Sequence, residues 1–531
     1  MVVYVKVALH LERYGGASMT TAPGVDGTTT GGAIALGVLK RQVTLIPLVG
    51  LIYFSVSGGP YGLENAISSS GPGMAMVLII VVPIIFAIPC ALMNAELGSA
   101  IPLEGGYYYW VKVALGSFWA FVEGLSSWFT SFLDTALYPV LFVDYLATWF
   151  PGVARGQHVA FSAFNGDFSL DLHWVITLAF MIPLAYLNAR GAKVVGETST
   201  VLTVVILAPF VVLTGLGMWK LLTEPAINPL HPFVLHGQST FGAFSAGLAV
   251  VIWNYVGFDS ITTASAEIDR PKRNYPLALA ICIPLIVVSY LLPMLASLAS
   301  GLHHHDPSLW TDGDFALAGQ LLGGTWLKGC IVVGAMFAQI GLFSSLLMSG
   351  SRIPAVLAAD RYLPSALART SPRYGTPVVA IVVSCIMFAI FCALDFITLL
   401  DADIVLSVGG LLLEFVAFLV LRAKYPQMDR PFRVPGGWFG AILITLLPVA
   451  VAAAMLWSTL QNEAGAFWIG AIGFALAALL YLPANRWIKA GGPDAVVDIG
   501  TVDLGPGVDV AMVLENRHDD RVRPTTATTE V

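Results

Sequence analysis

Apolar runs of some twenty residues recur down the chain, separated by short polar stretches rich in Arg, Lys, Pro and Gly. A helix rises ~1.5 Å per residue, so about 20 apolar residues cover the ~30 Å hydrocarbon core of a bilayer. Twelve runs approach that length, near 43–68, 74–99, 117–149, 173–189, 196–221, 243–267, 276–300, 326–355, 376–396, 403–422, 437–459 and 464–486. The third is long enough for a helix of ~50 Å, which must tilt or project beyond the bilayer. The connecting loops test the count. An even number of crossings puts both termini on one side, and of the 26 Lys and Arg all but Arg155, Lys220 and Lys328 then fall on that side. Lys and Arg favour cytosolic loops, so both termini are predicted to be cytosolic.

Composition agrees with that pattern. Apolar residues make up 57 % of the 531 and charged residues 11 %, against roughly 25 % charged in soluble domains. Mean hydropathy is +0.80. Such a chain cannot cover its surface with water-compatible groups, so lipid is a partner. The net charge of −7, with no basic patch interleaved with aromatics, argues against a nucleic-acid partner. Cys90, Cys282, Cys330, Cys385 and Cys392 all lie in apolar runs without metal-ligand spacing and read as small buried hydrophobes. His303-His304-His305-Asp306 is a tandem cluster in a loop, not a helical ligand set, and no metal or cofactor is expected. No nucleophile–base arrangement, G-x-S-x-G or P-loop stands out, so the chain does not read as an enzyme. Residues 1–40 and 490–531 read as cytosolic tails, the first disordered.

Two runs are interrupted about halfway along. The first carries Val56-Ser57-Gly58-Gly59-Pro60-Tyr61-Gly62, and the sixth carries Trp253-Asn254-Tyr255-Val256-Gly257-Phe258-Asp259-Ser260. Five helices separate their starts, so the two runs cross in opposite directions. Short helices are also predicted at matching places, in IPLEGGYYYWVKVALG before run 3 and SLWTDGDFALAGQLLGG before run 8. The pattern predicts an inverted five-plus-five repeat, 41–225 and 226–425, followed by two extra helices in 426–489. Unpaired backbone is tolerated at membrane depth only where it lines a cavity or meets a ligand. The plainer reading of Gly257 is a kinked helix; the matching break in run 1 argues against it. Pro60 fits the first turn of an outer half-helix.

The segments SGGPYGLE, EGGYYYWV, DTALYPVLFVDY, WNYVGFDSITTASAEIDRPKRNYPLAL and SRIPAVLAADRYLPSALARTSPRYGTP, in that order, resemble the amino acid–polyamine–organocation superfamily, in particular its polyamine-transporter-like branch. The resemblance covers roughly residues 40–490. It implies an all-α integral membrane protein of twelve transmembrane helices with the LeuT-type inverted repeat, helices 1 and 6 broken. It also implies that Ser57, Gly58 and Gly59 meet substrate through backbone groups. Trp253, Asn254, Tyr255 and Gly257 are implied to supply carbonyls and aromatic contacts, with Phe258 and Asp259 linked to gating. Run 5, GETSTVLTVVILAPFVVLTG, has no lysine before Lys220, unlike many proton-coupled relatives.

Ionisable residues at membrane depth are costly and face cavities. Glu64, Glu96, Glu123, Asp134, Asp144, Asp259 and Glu414 lie in or beside the runs with no equally deep Lys or Arg. Glu64, Asp134 and Asp259 are expected at one cavity, and Glu414 at gating or coupling. Glu96, Glu123 and Asp144 lie nearer the membrane surfaces and read as structural. The amides of Gly58, Gly59 and Tyr61 offer a carboxylate site, while Trp253 and Tyr255 offer faces for ammonium groups. The acidic surplus favours a cationic substrate, with both a polyamine and an amino acid open. The expected function is a secondary active transporter of the cell membrane working by alternating access, with H+ as coupling ion. The alternatives are an obligate amino acid exchanger and a non-transporting nutrient sensor with the same fold.

Overall fold

The structure is a computed structural model describing residues 43–147, 150–153, 161–163, 166–224, 228–311, 313–394, 396–462 and 464–489. The expected tails at 1–40 and 490–531 lie outside the described residues, as does the side chain of Asp144. The first apolar run is two helices, α1 (Leu45–Val56) and α2 (Glu64–Ser70). Next come α3 (Pro72–Ala100), loosened into a π-helical turn at Pro83–Ala87, and the short α4 (Tyr107–Leu115). α5 (Ser117–Ala147) is followed by α6 (Leu172–Ala189) and α7 (Ala192–Thr223). The sixth run is α8 (Thr240–Trp253), a break, and a 3₁₀ segment, Ser260–Glu267. Then follow α9 (Pro271–Ala299), α10 (Asp314–Gly323), α11 (Thr325–Ala359), α12 (Val378–Phe391), α13 (Phe396–Lys424), α14 (Gly437–Asn462) and α15 (Ala464–Lys489). The all-α expectation omitted one element. After α5 a short antiparallel hairpin forms, β1 (Phe161–Ala163) with β2 (Gly166–Phe168), Phe161 opposite Phe168.

Among the described residues, seven helices are long and apolar enough to cross a membrane: α3, α6, α9, α11 and the greater part of α7, α13 and α14. α1, α8 and α12 are apolar but shorter. Both short helices expected from the sequence form, α4 and α10, each leading into a long helix, α5 and α11. α11 packs on α5, α7 and α1, and α13 packs on α5 and α15. The outward faces carry exposed Ile182, Val211, Phe439 and Leu479, an apolar belt of the kind that lipid covers. Cys330 belongs to that exposed surface and Cys385 is half-buried, so not all five cysteines are core residues.

Several buried charges are paired, contrary to the expectation of unpartnered carboxyls. Glu96 of α3 receives Arg422 Nε at 2.9 Å and a second bond from Arg422 Nη2, with Arg430 Nε 3.1 Å away and the Val434 amide donating at 2.7 Å. This clamp joins α3 to the end of α13 and the loop beyond it. Lys112 of α4 sits 2.5 Å from Asp360 at the end of α11, and Tyr108 donates to the same carboxylate. Arg352 of α11 is fully buried and donates to Glu267 from Nε at 3.0 Å and from Nη2 at 2.5 Å, with Glu104 3.7 Å away. Alongside it the chain entering α1 pairs with the end of the 3₁₀ segment, Val43 N donating to Glu267 O at 3.1 Å and Asp269 N to Val43 O at 2.9 Å.

Candidate functional site

The first break runs from Ser57 to Leu63. Gly58, Gly59 and Gly62 hold φ of +65°, +111° and +86°, which carry an L side chain only at a cost. The outer half-helix begins at Glu64, so Pro60 is not in its first turn as expected; its carbonyl instead accepts from Leu63 N at 3.3 Å, closing a turn. The second break lies between Trp253 and Ser260 and turns on Gly257, φ +103°. The two breaks touch: a Cβ placed on Gly257 would lie 2.2 Å from Ser55 O in the last turn of α1. Only glycine allows that approach.

A cavity of about 420 Å³ opens beside the crossing, within the ~300–1,000 Å³ usual for small-molecule sites. From the first break Ser57, Gly58 and Tyr61 line it, and from the second the stretch from Trp253 to Ser260. Asp134 comes from α5, Gln339 from α11 and Glu414 from α13. Two of the expected residues do not line it. Gly59 faces Ile206 and the Tyr61 ring. Glu64 is buried away from the cavity, accepting from Gly62 N at 2.9 Å and Gly313 N at 3.4 Å, and so ties the outer half-helix to the turn before α10. As the first residue of α2 it points at that loop and not into the cavity.

The broken backbone is largely satisfied from within. Gly58 N donates to Tyr53 O at 3.3 Å, and Gly59 N to Ser57 Oγ at 3.1 Å. On the other strand of the crossing, Tyr290 and Tyr275 of α9 donate to Asn254 O at 2.8 Å and Phe258 O at 3.0 Å. Two of the three expected amides and the Asn254 carbonyl are therefore engaged by protein groups. Tyr255 is fully buried, its ring edge-on to Tyr290 and its hydroxyl donating to Ile79 O at 3.2 Å, so its ring is not a platform for an ammonium. Phe258 is buried as well, while Trp253 keeps part of its surface open.

What the cavity offers instead is carboxylate. Besides Asp134, Asp259 and Glu414, it is lined by Glu123 of α5 and Asp403 of α13, and among the described residues no Lys or Arg lines it. Asp134 accepts from Tyr138 Oη at 2.9 Å and Asp403 from Ser407 Oγ at 3.3 Å. Glu123 was expected to be structural and Asp403 was not singled out. A signal for both was present, since Glu123, Ser127, Ser131 and Asp134 recur on one helical face, as do Asp403, Ser407, Gly410 and Glu414. A wall of carboxylates favours a cationic over an anionic occupant.

Comparison with known proteins shows the family. The amino acid permease family profile matches residues 44–479. A polyamine transporter of Oryza sativa subsp. japonica (PUT1) is 35 % identical over 87 % of this chain and 83 % of its own length. A polyamine transporter of Arabidopsis thaliana (RMV1) is 34 % identical over 85 % of this chain and 87 % of its own. More distantly, the branched-chain amino acid permease BcaP of Bacillus subtilis (strain 168) is 25 % identical over 69 % of this chain. With its apolar helices and a family match over most of its length, the chain is a multi-pass membrane protein and belongs to the amino acid permease family, within the amino acid–polyamine–organocation superfamily, whose members are transporters and not enzymes.

Proposed function

We propose that the protein is a secondary active transporter that carries an organic cation across the cell membrane by alternating access, with a polyamine favoured over a basic amino acid and H+ as the coupling ion. The observation that carries this reading is a cavity at two crossing helix breaks that, among the described residues, is lined by five carboxyl side chains and no basic one. The engaged amides of Gly58 and Gly59 weigh against an α-carboxylate ligand and so against a neutral amino acid. The relatives named as polyamine transporters support the same choice.

In this reading the chain crosses twelve times in the LeuT-type five-plus-five arrangement, with α14 and α15 extra. The pairs α4–α5 and α10–α11 take corresponding places in the two repeats. The side bearing Lys112, Arg352 and Arg422 is cytosolic, as are both termini. The substrate's ammonium groups meet Asp134 and Asp259, and a coupled proton rides on the carboxyls. The Arg352–Glu267 contact closes the cytosolic side while the outer path is open, and must part for release.

Purified protein in proteoliposomes tests this with radiolabelled putrescine, spermidine, arginine and leucine, with and without an imposed pH gradient. Spermidine is expected to accumulate with the gradient. Movement of leucine alone overturns the reading; uptake that needs internal substrate at any gradient indicates exchange, and binding without flux indicates a sensor. Asp259→Asn is expected to lower cation uptake on the order of tenfold or more, the equivalent of one charged hydrogen bond. Unchanged uptake removes Asp259 from the site.

A further inference from the structure

The five carboxyls are not one cluster. On α5, Glu123 and Asp134 are eleven residues apart; on α13, Asp403 and Glu414 have the same separation. Eleven residues make three helical turns and about 20° more, so each pair shares a face, with its members ~16 Å apart along the axis. The two helices pack together. A Cβ placed on Gly410, one turn before Glu414, would lie 2.9 Å from Glu123 Oε1, which sets Glu123 at the Glu414 end of α13. Asp134 and Asp403 are within electrostatic reach of each other at the opposite end. Asp259, in the break, is within reach of Glu123, Asp134 and Glu414 alike. The cavity therefore has two acidic ends and an acidic middle.

The inner end is also incomplete. Glu123 and Glu414 are at most 2 % exposed, and the Oε2 atom of each has no hydrogen-bond partner among the described residues. Glu123 Oε1 takes a hydroxyl from Ser127 at 3.1 Å, as Asp134 and Asp403 each take one from their own helix, which leaves the two Oε2 atoms as the unmet positions. Two buried, unmet carboxylate oxygens beside a cavity are costly unless a donor arrives. The donor that fits both is an ammonium group.

We propose that Glu123 and Glu414 form an inner subsite for the far ammonium of a linear polyamine, so that the cavity selects substrates by chain length; this rests on the reading of the cavity as a cation site. The near ammonium sits between Asp134 and Asp403, and Asp259 meets a middle amine. A neutral α-amino acid, whose charges share one carbon, cannot reach both ends, and the two cationic groups of a basic one span only about 7 Å. Putrescine, with five bonds between its nitrogens, covers only about 6 Å, whereas spermine covers most of the stripe.

The test is competition against radiolabelled spermidine on purified full-length protein in nanodiscs, with putrescine, spermidine and spermine as probes. Wild type is expected to prefer spermine to putrescine on the order of tenfold. Glu414→Gln and Glu123→Gln are expected to collapse that ratio, Glu414→Asp to restore part of it, and Asp134→Asn to weaken all three amines together. Folding is checked by elution profile, and if one Gln variant does not fold the other carries the comparison. A ratio unchanged in a folded Gln variant overturns the inner subsite, including the case where only the pH profile of uptake shifts, which makes the pair a proton site instead. If wild type binds the amines without length preference, the inner subsite fails while the cation reading stands. If it binds none of them, the cation reading itself fails, and the inner subsite with it.

Discussion

Replacing Arg352 with Met is expected to cost about 3–5 kcal/mol of stability, the range for removing one member of a buried ion pair. Arg352 is fully buried. Its guanidinium donates to Glu267 from two nitrogens, to Met348 O at 2.9 Å and to Ser351 Oγ at 3.1 Å, with Glu104 close by. Met fills a similar volume, so little of the loss is a cavity. What remains is Glu267, still buried, with its cation gone. The single variant should therefore fare worse than Arg352→Met with Glu267→Met, which removes both charges and recovers much of the loss. Denaturant titration in mixed micelles measures both. A single variant within roughly 0.5 kcal/mol of wild type, as for an unconnected surface site, would show that this contact is not a structural latch. Uptake should fall with it, since the same contact joins α11 to the 3₁₀ segment below the second break.

Gly257→Ala is the second change with a large expected effect. The residue holds φ +103°, and its added Cβ would lie 2.2 Å from Ser55 O, a backbone atom in the last turn of α1. The φ penalty is ~1–2 kcal/mol and overpacking adds ~1–3. The sum, about 2–5 kcal/mol, falls on the contact that holds the two breaks together. Transport by the protein that still folds should drop at least about tenfold, since separating the strands there alters every cavity wall they form. Gly58→Ala should be milder, because its Cβ would meet the end of the flexible Leu342 side chain. Gly215→Ala, in mid-helix with nothing within 4 Å, should be neutral or stabilising by up to about 1 kcal/mol. If Gly257→Ala and Gly215→Ala behaved alike, the close crossing of the breaks would not matter to function.

The helices were legible because lipid imposes one simple rule, a long apolar run, and the breaks because Gly, Pro and Asp violate that rule locally. Side-chain direction was harder to read. Glu64 and Asp134 look equally central along the chain, yet one faces the loop at Gly313 and the other the cavity. Glu123 reads as superficial from its distance along run 3 yet lines the cavity, because depth along a helix says little when a cavity extends along its face. Asp403 stood at the first residue of run 10, but the helix begins at Phe396, two turns earlier, which carries Asp403 inward. The partners of Glu96 come from residues more than three hundred positions away, beyond any local pattern. Tyr255 shows the same limit: its type suited an ammonium platform, and only packing against Tyr290 and Ile79 turned it aside.

Tyr275 and Tyr290 have a bearing on the transport cycle as a whole. Because these two phenols prop the unwound segment, its form does not depend on cargo. In the proposed cycle, resetting after each delivery then needs no refolding of that stretch.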